Sequence, residues 1–80
     1  MVSINGECFR TIAREIKAGD EFIKKHNLTL CEFDMIYWAL MDLWNSGTAE
    51  TISAHVAEIL KEYGFEIQEK GIGFSVCALV

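Results

Sequence analysis

Eighty residues, 51% of them hydrophobic, with no proline and a formal net charge of −5, suit one small domain and favour a compact core over disorder. No apolar run approaches the roughly 18 residues of a membrane span, and the opening "MVSINGECFR" lacks the basic-then-apolar layout of a signal peptide. Three cysteines, Cys8, Cys31 and Cys77, form an odd set without CxxC spacing, which argues for reduced, mostly buried thiols in a cytoplasmic protein.

The charge is unevenly spread. Residues 1–26 carry five basic and four acidic side chains, whereas residues 27–80 carry two basic and eight acidic ones. The first third is therefore nearly balanced and the rest strongly acidic.

In chain order, a first helix is expected from Gly6 to Ala18, opened by Asn5 and closed by Gly19. Phe9, Ile12, Ala13 and Ile16 make its apolar stripe, and Arg10, Arg14 and Lys17 occupy another face. A break is expected near Gly19-Asp20, with Asp20 capping a short helix that ends near "KKHN".

The second main helix has the clearest start signal. Thr29 and Glu32 form a T-x-x-E capping box, flanked by Leu28 and Phe33 in the hydrophobic-staple positions. Phe33, Ile36, Tyr37, Leu40, Leu43 and Trp44 are read as its core stripe. Met35, Trp38 and Met41 fall off that stripe and leave the helix apolar on nearly all sides. Gly47 ends it. A third helix is expected over residues 49–63, capped by Thr48, with Gly64 in the left-handed position after its end and Phe65 folding back.

The closing "GFEIQEKGIGFSVCALV" reads as an antiparallel hairpin. With Lys70-Gly71 as the loop, Ile67 faces Phe74 and Phe65 faces Val76. The second strand then outruns the first at "CALV", and its open edge calls for a cover, either Val2-Ser3-Ile4 or the same edge of a second copy. The fold class expected is thus α+β: three main helices followed by a C-terminal antiparallel hairpin, in one domain over residues 1–80.

The stretch "LTLCEFDMIYWAL", a following helix and then a hairpin resemble the second half of a bacterial winged-helix regulator, over roughly residues 28–77. The resemblance implies a DNA-reading helix before a wing. Two features depart from it: a helix-turn-helix needs two helices between "LTLCEFD" and the wing, where "TAETISAHVAEILKEYG" supplies one, and that helix is acidic. Phosphate neutralisation dominates duplex binding, so no direct DNA binding is expected.

No cofactor is expected. His26 and His55 have no partner at zinc spacing, so no metal site is expected either. Catalysis would need a nucleophile beside a base. Apart from a three-dimensional pairing of Cys31 with His26, the chain has no such motif and no phosphate loop, so no enzyme activity is expected. Surfaces remain. Arg10 and Arg14, with Lys17, are either a solvated face or a contact for an acidic partner. Met35, Trp38 and Met41 are either sandwiched between the first helix and the hairpin or form a protein interface, in a monomer or a homodimer. Asp34, Asp42, Glu50, Glu58, Glu62, Glu66 and Glu69 can present a negative face to a basic groove. In size and composition the chain is similar to the small acidic phage proteins, anti-CRISPR proteins among them, that occupy basic grooves on nucleic-acid-handling machines. The function expected is binding to another protein as an inhibitor or adaptor. A degenerate winged-helix transcription regulator is the second reading.

Overall fold

The computed structural model describes residues 6–51 and 53–78. Its elements are α1 (Gly6–Ile16), α2 (Asp20–His26), α3 (Leu30–Ser46), β1 (Thr48–Thr51), α4 (Ala54–Glu62), β2 (Glu66–Lys70) and β3 (Gly73–Cys77). The three strands form one antiparallel sheet in the order β1-β3-β2, so the protein is α+β.

Local chemistry explains most boundaries. Gly19 takes a positive φ of 56° between α1 and α2, where the expected break falls. Asn27 closes α2 in the left-handed region, with the Leu28 N–H donating back to Ile23 O. At the start of α3 the Thr29 N–H donates to Glu32 Oε1 at 2.9 Å and the Glu32 N–H donates to Thr29 Oγ1 at 3.1 Å, which completes the capping box. Gly47 ends α3 at φ 79°. After α4 the Phe65 N–H bonds Leu60 O and the Gly64 N–H bonds Lys61 O, the two bonds of a Schellman motif. Gly64 has two reasons to lack a side chain: its φ is +102°, and a Cβ there would lie 2.6 Å from Cys8 Sγ.

One expected helix is shorter than its pattern. Residues 48–51 are strand, not the first turn of a helix from Ala49, and Ser53 replaces Thr48 as the N-cap, its Oγ accepting from the Val56 N–H. The cause is non-local. The outer edge of β3 offers unpaired backbone groups, and β1 takes them by pairing Thr48 with Cys77 and Thr51 with Phe74. The Ala78 N–H continues the contact to Gly47 O at 2.9 Å. The open edge expected at "CALV" is thus covered by β1 as far as Ala78, and Val2–Ile4, Leu79 and Val80 lie outside the described residues.

The hairpin register also differs. Ile67 faces Val76 and Lys70 faces Gly73, so the loop is Gly71-Ile72, with Gly71 at φ +56° in the first central position. That position accepts glycine in a type II′ turn, whereas the expected Lys70-Gly71 loop would have required a type I′ turn with lysine at positive φ. The shift is two residues, so every side chain keeps its face. Ala49, Thr51, Ile67, Phe74 and Val76 share the inner face. Ile12, Phe22, Ile36, Leu43, Val56 and Leu60 complete the core between that face and the helices.

Candidate partner-binding surface

α3 has 17 residues and spans about 25 Å. Ile36, Ala39, Leu40 and Leu43 are buried on one side. On the other, Leu30, Tyr37, Met41 and Trp44 fall seven, four and three residues apart, which aligns them along one line of the helix. All four are exposed, and so is Trp38 beside them, with 65% of its surface open. Tyr37 and Trp38 meet edge to face with centroids 6.0 Å apart. Trp44 leans on Phe9 of α1 at 5.2 Å and still leaves 62% of its surface open.

This revises the sequence reading of the helix. Tyr37 and Trp44, expected in the core stripe, are on the outside. Each follows a buried residue, Ile36 and Leu43, by one position, and one position turns a helical side chain by about 100°. Met35, grouped with Trp38 and Met41, is half-buried, and Thr51 Oγ1 donates to its Sδ at 2.6 Å. Trp38 and Met41 are brought together with Tyr37, Trp44 and Leu30. No local signal separates the two sides, since the exposed line has helical spacing as regular as that of Ile36, Ala39, Leu40 and Leu43.

Two acids stand beside the exposed stripe, both on its Trp38 side. Asp34 and Asp42 are exposed and make no ion pair among the described residues. Glu32, the remaining acid of α3, is already engaged by the Thr29 N–H and by His55 Nδ1, 2.8 Å from its Oε2. These two contacts hold its carboxyl below the ordinary range. No basic residue stands on α3. The other expected site residues are exposed on different helices: Glu58 and Glu62 on α4, Arg10 and Arg14 on α1. The structure does not join them to the α3 face.

A second polar cluster joins α1, α2 and the end of α4. Lys25 Nζ lies 2.7 Å from Glu15 Oε1, and His26 Nε2 lies 3.0 Å from the Tyr63 hydroxyl. Phe22 packs beneath, with centroids 4.7 Å from His26 and 6.5 Å from Tyr63. Lys25 above all, and also Tyr63, hold the Glu15 carboxyl below its usual range. Burial, with Lys25 adding to it, lowers His26. Burial and the nearby Glu15 push the Tyr63 phenol up to about 12, so it stays protonated at neutral pH and acts as a hydrogen-bonding strut. With His26 turned to Tyr63, the Cys31–His26 pairing considered from the sequence is not formed. Cys31 is exposed on the first turn of α3, contrary to the expected burial, while Cys8 and Cys77 are half-buried.

Among the described residues no three His, Cys, Asp or Glu side chains stand where they could hold a metal ion, and no helix is long and apolar enough to cross a membrane. No family model, curated protein or solved structure matches this chain. Among the described residues, five of the six exposed large hydrophobic side chains stand on α3 and the sixth, Ile72, on the hairpin turn.

Proposed function

We propose that this protein acts without catalysis by binding another protein through the outer face of α3, as a small inhibitor or adaptor. The observation that carries the reading is the exposed line of Leu30, Tyr37, Met41 and Trp44 with Trp38 beside it. Tryptophan, tyrosine and methionine are over-represented at interface centres, the two aromatics because they bury much area with few rotatable bonds and methionine because its flexible thioether adapts to the partner's surface. In a monomer most of that face leaves apolar surface in water. The adjacent Asp34 and Asp42 favour a basic groove over an acidic one. A groove on a nucleic-acid-handling machine, the target of small acidic phage proteins, fits both the size and the sign of charge. Affinity capture with wild-type and Trp38→Asp/Met41→Asp baits tests the reading. A partner retained by wild type and lost on the double variant is expected, and one retained equally by both overturns the α3 assignment.

The second reading, a degenerate winged-helix regulator, is favoured by the helix–strand–helix–hairpin order and the three-stranded sheet. Against it, α4 alone stands between β1 and the hairpin, and its outward residues His55, Glu58, Lys61 and Glu62 are acidic on balance. We expect no appreciable duplex-DNA binding at physiological salt. Sub-micromolar affinity with a steep salt slope in a fluorescence titration would reverse the ranking.

A further inference from the structure

The chemistry of the partner can be narrowed from the α3 face itself, resting on the protein-binding reading above. We infer that the face takes a basic amphipathic helix whose apolar side lies along the Tyr37–Met41–Trp44 line and whose Lys or Arg residues reach Asp34 and Asp42. Three observations carry it. The stripe is straight and extends over most of a 17-residue helix, a shape that complements a second helix laid alongside. The two acids beside it make no ion pair among the described residues and have no base on α3; Lys70 of β2 shares a surface hollow with Asp42 without pairing to it, so Asp34 is the less contested of the two for a cation brought by the partner. They are eight residues apart, about 12 Å along the axis, which matches basic residues seven or eight apart on the incoming helix.

A second copy of this chain is the natural rival, and charge disfavours it. An antiparallel two-fold pairing centred on Trp38 would set Asp34 opposite Asp42 of the other copy, twice, and a parallel pairing would set each acid opposite itself. Nucleic acid is disfavoured by the same two carboxylates, even though exposed aromatics can stack on bases.

The test uses the full chain, immobilised, and a library of 16-residue helical peptides. These carry leucine at the a and d positions and Lys, Glu or Gln randomised at the flanking ones. Retention of Lys-flanked peptides over Glu-flanked ones by roughly threefold to thirtyfold is expected, since two partly exposed ion pairs contribute modestly. With Asp34→Asn/Asp42→Asn the preference should disappear while retention persists, and with Trp38→Ala retention should fall for all peptides. Retention without charge preference, or with preference for Glu, overturns the basic-helix inference and leaves the α3 interface standing. No retention of any peptide at high micromolar concentration counts against the interface itself. Sedimentation equilibrium supplies the rival's arm: a dimer dispersed by Trp38→Asp overturns the inference in favour of self-association.

Discussion

α1 and α3 obey the same rule on their inner sides and part company on the outer ones. α1 buries Ile12, tucks Phe9 and Ile16 partly under, and turns Arg10, Arg14 and Lys17 to solvent. α3 buries Ile36, Ala39, Leu40 and Leu43 and turns out Tyr37, Trp38, Met41 and Trp44. A basic outer face on α1 is what water selects, and it needs no further purpose. Apart from the Trp44–Phe9 and Tyr37–Trp38 ring contacts, the aromatic outer face of α3 leaves its apolar surface in water and adds little to a monomer's stability. The difference separates residues kept for the fold from residues that fit an interface, and it can be broken by measurement.

The largest expected effect is on the inner side of α3. Leu40 is buried, and Leu40→Ala should cost about 2–5 kcal/mol in urea unfolding, because a cavity is left in a core with few layers. A loss below about 1 kcal/mol would remove α3 from the centre of the fold. Gly64→Ala should follow at about 1–3 kcal/mol, since its left-handed backbone and the nearby Cys8 Sγ both resist a side chain. An unchanged midpoint would mean that the junction of α1 with the end of α4 is looser than the geometry indicates. Thr29→Ala removes half of the capping box and should cost about 0.5–2 kcal/mol, with a smaller loss in Thr29→Ser.

The polar cluster between α1, α2 and Tyr63 predicts a pH response with a definite sign. His26 is lowered in the folded state, so its contribution is complete above its unfolded value near 6.5 and is lost as pH falls below that. Glu15 and Glu32 are lowered too, and they add a further loss as pH drops below 4.5. Tyr63 is raised, so its contribution holds below pH 10 and is lost between 10 and about 12. Thermal unfolding across pH should therefore show a plateau near neutrality with a decline on each side, and Tyr63→Phe should flatten the alkaline decline. An alkaline limb unchanged in the variant would show that Tyr63 does not cause it.

The smallest effects sharpen the comparison most. Trp38→Ala and the pair Arg10→Gln/Arg14→Gln should each change stability by no more than about 0.5 kcal/mol, because both faces are open to water. Only the first should lower peptide retention. If Trp38→Ala costs more than about 2 kcal/mol, the outer face of α3 is packed in solution and the contrast with α1 fails.

Features written in short stretches were legible without the structure: the capping box at Thr29, the glycine stops at Gly47 and Gly64, the break near Gly19 and the faces of the hairpin. Each depends on hydrogen bonds or backbone angles within about six residues, so the neighbours that decide it are adjacent in the chain. The α+β class followed from those elements. Two things were decided only in three dimensions, and one between them was local turn chemistry that alternation could not reveal. Residues 48–51 became β1 because β3, more than twenty residues later, supplied an edge whose pairing outweighed a weak helix start. The hairpin register moved by two because the Gly71-Ile72 turn puts glycine at the position requiring positive φ, and side-chain alternation alone cannot tell a shift of two from none. The two sides of α3 could not be told apart by hydrophobicity, since both are apolar. What assigned Leu43 to the core and Trp44 to the surface was where β1 and α4 close on the helix, a matter of packing that a residue's type does not encode.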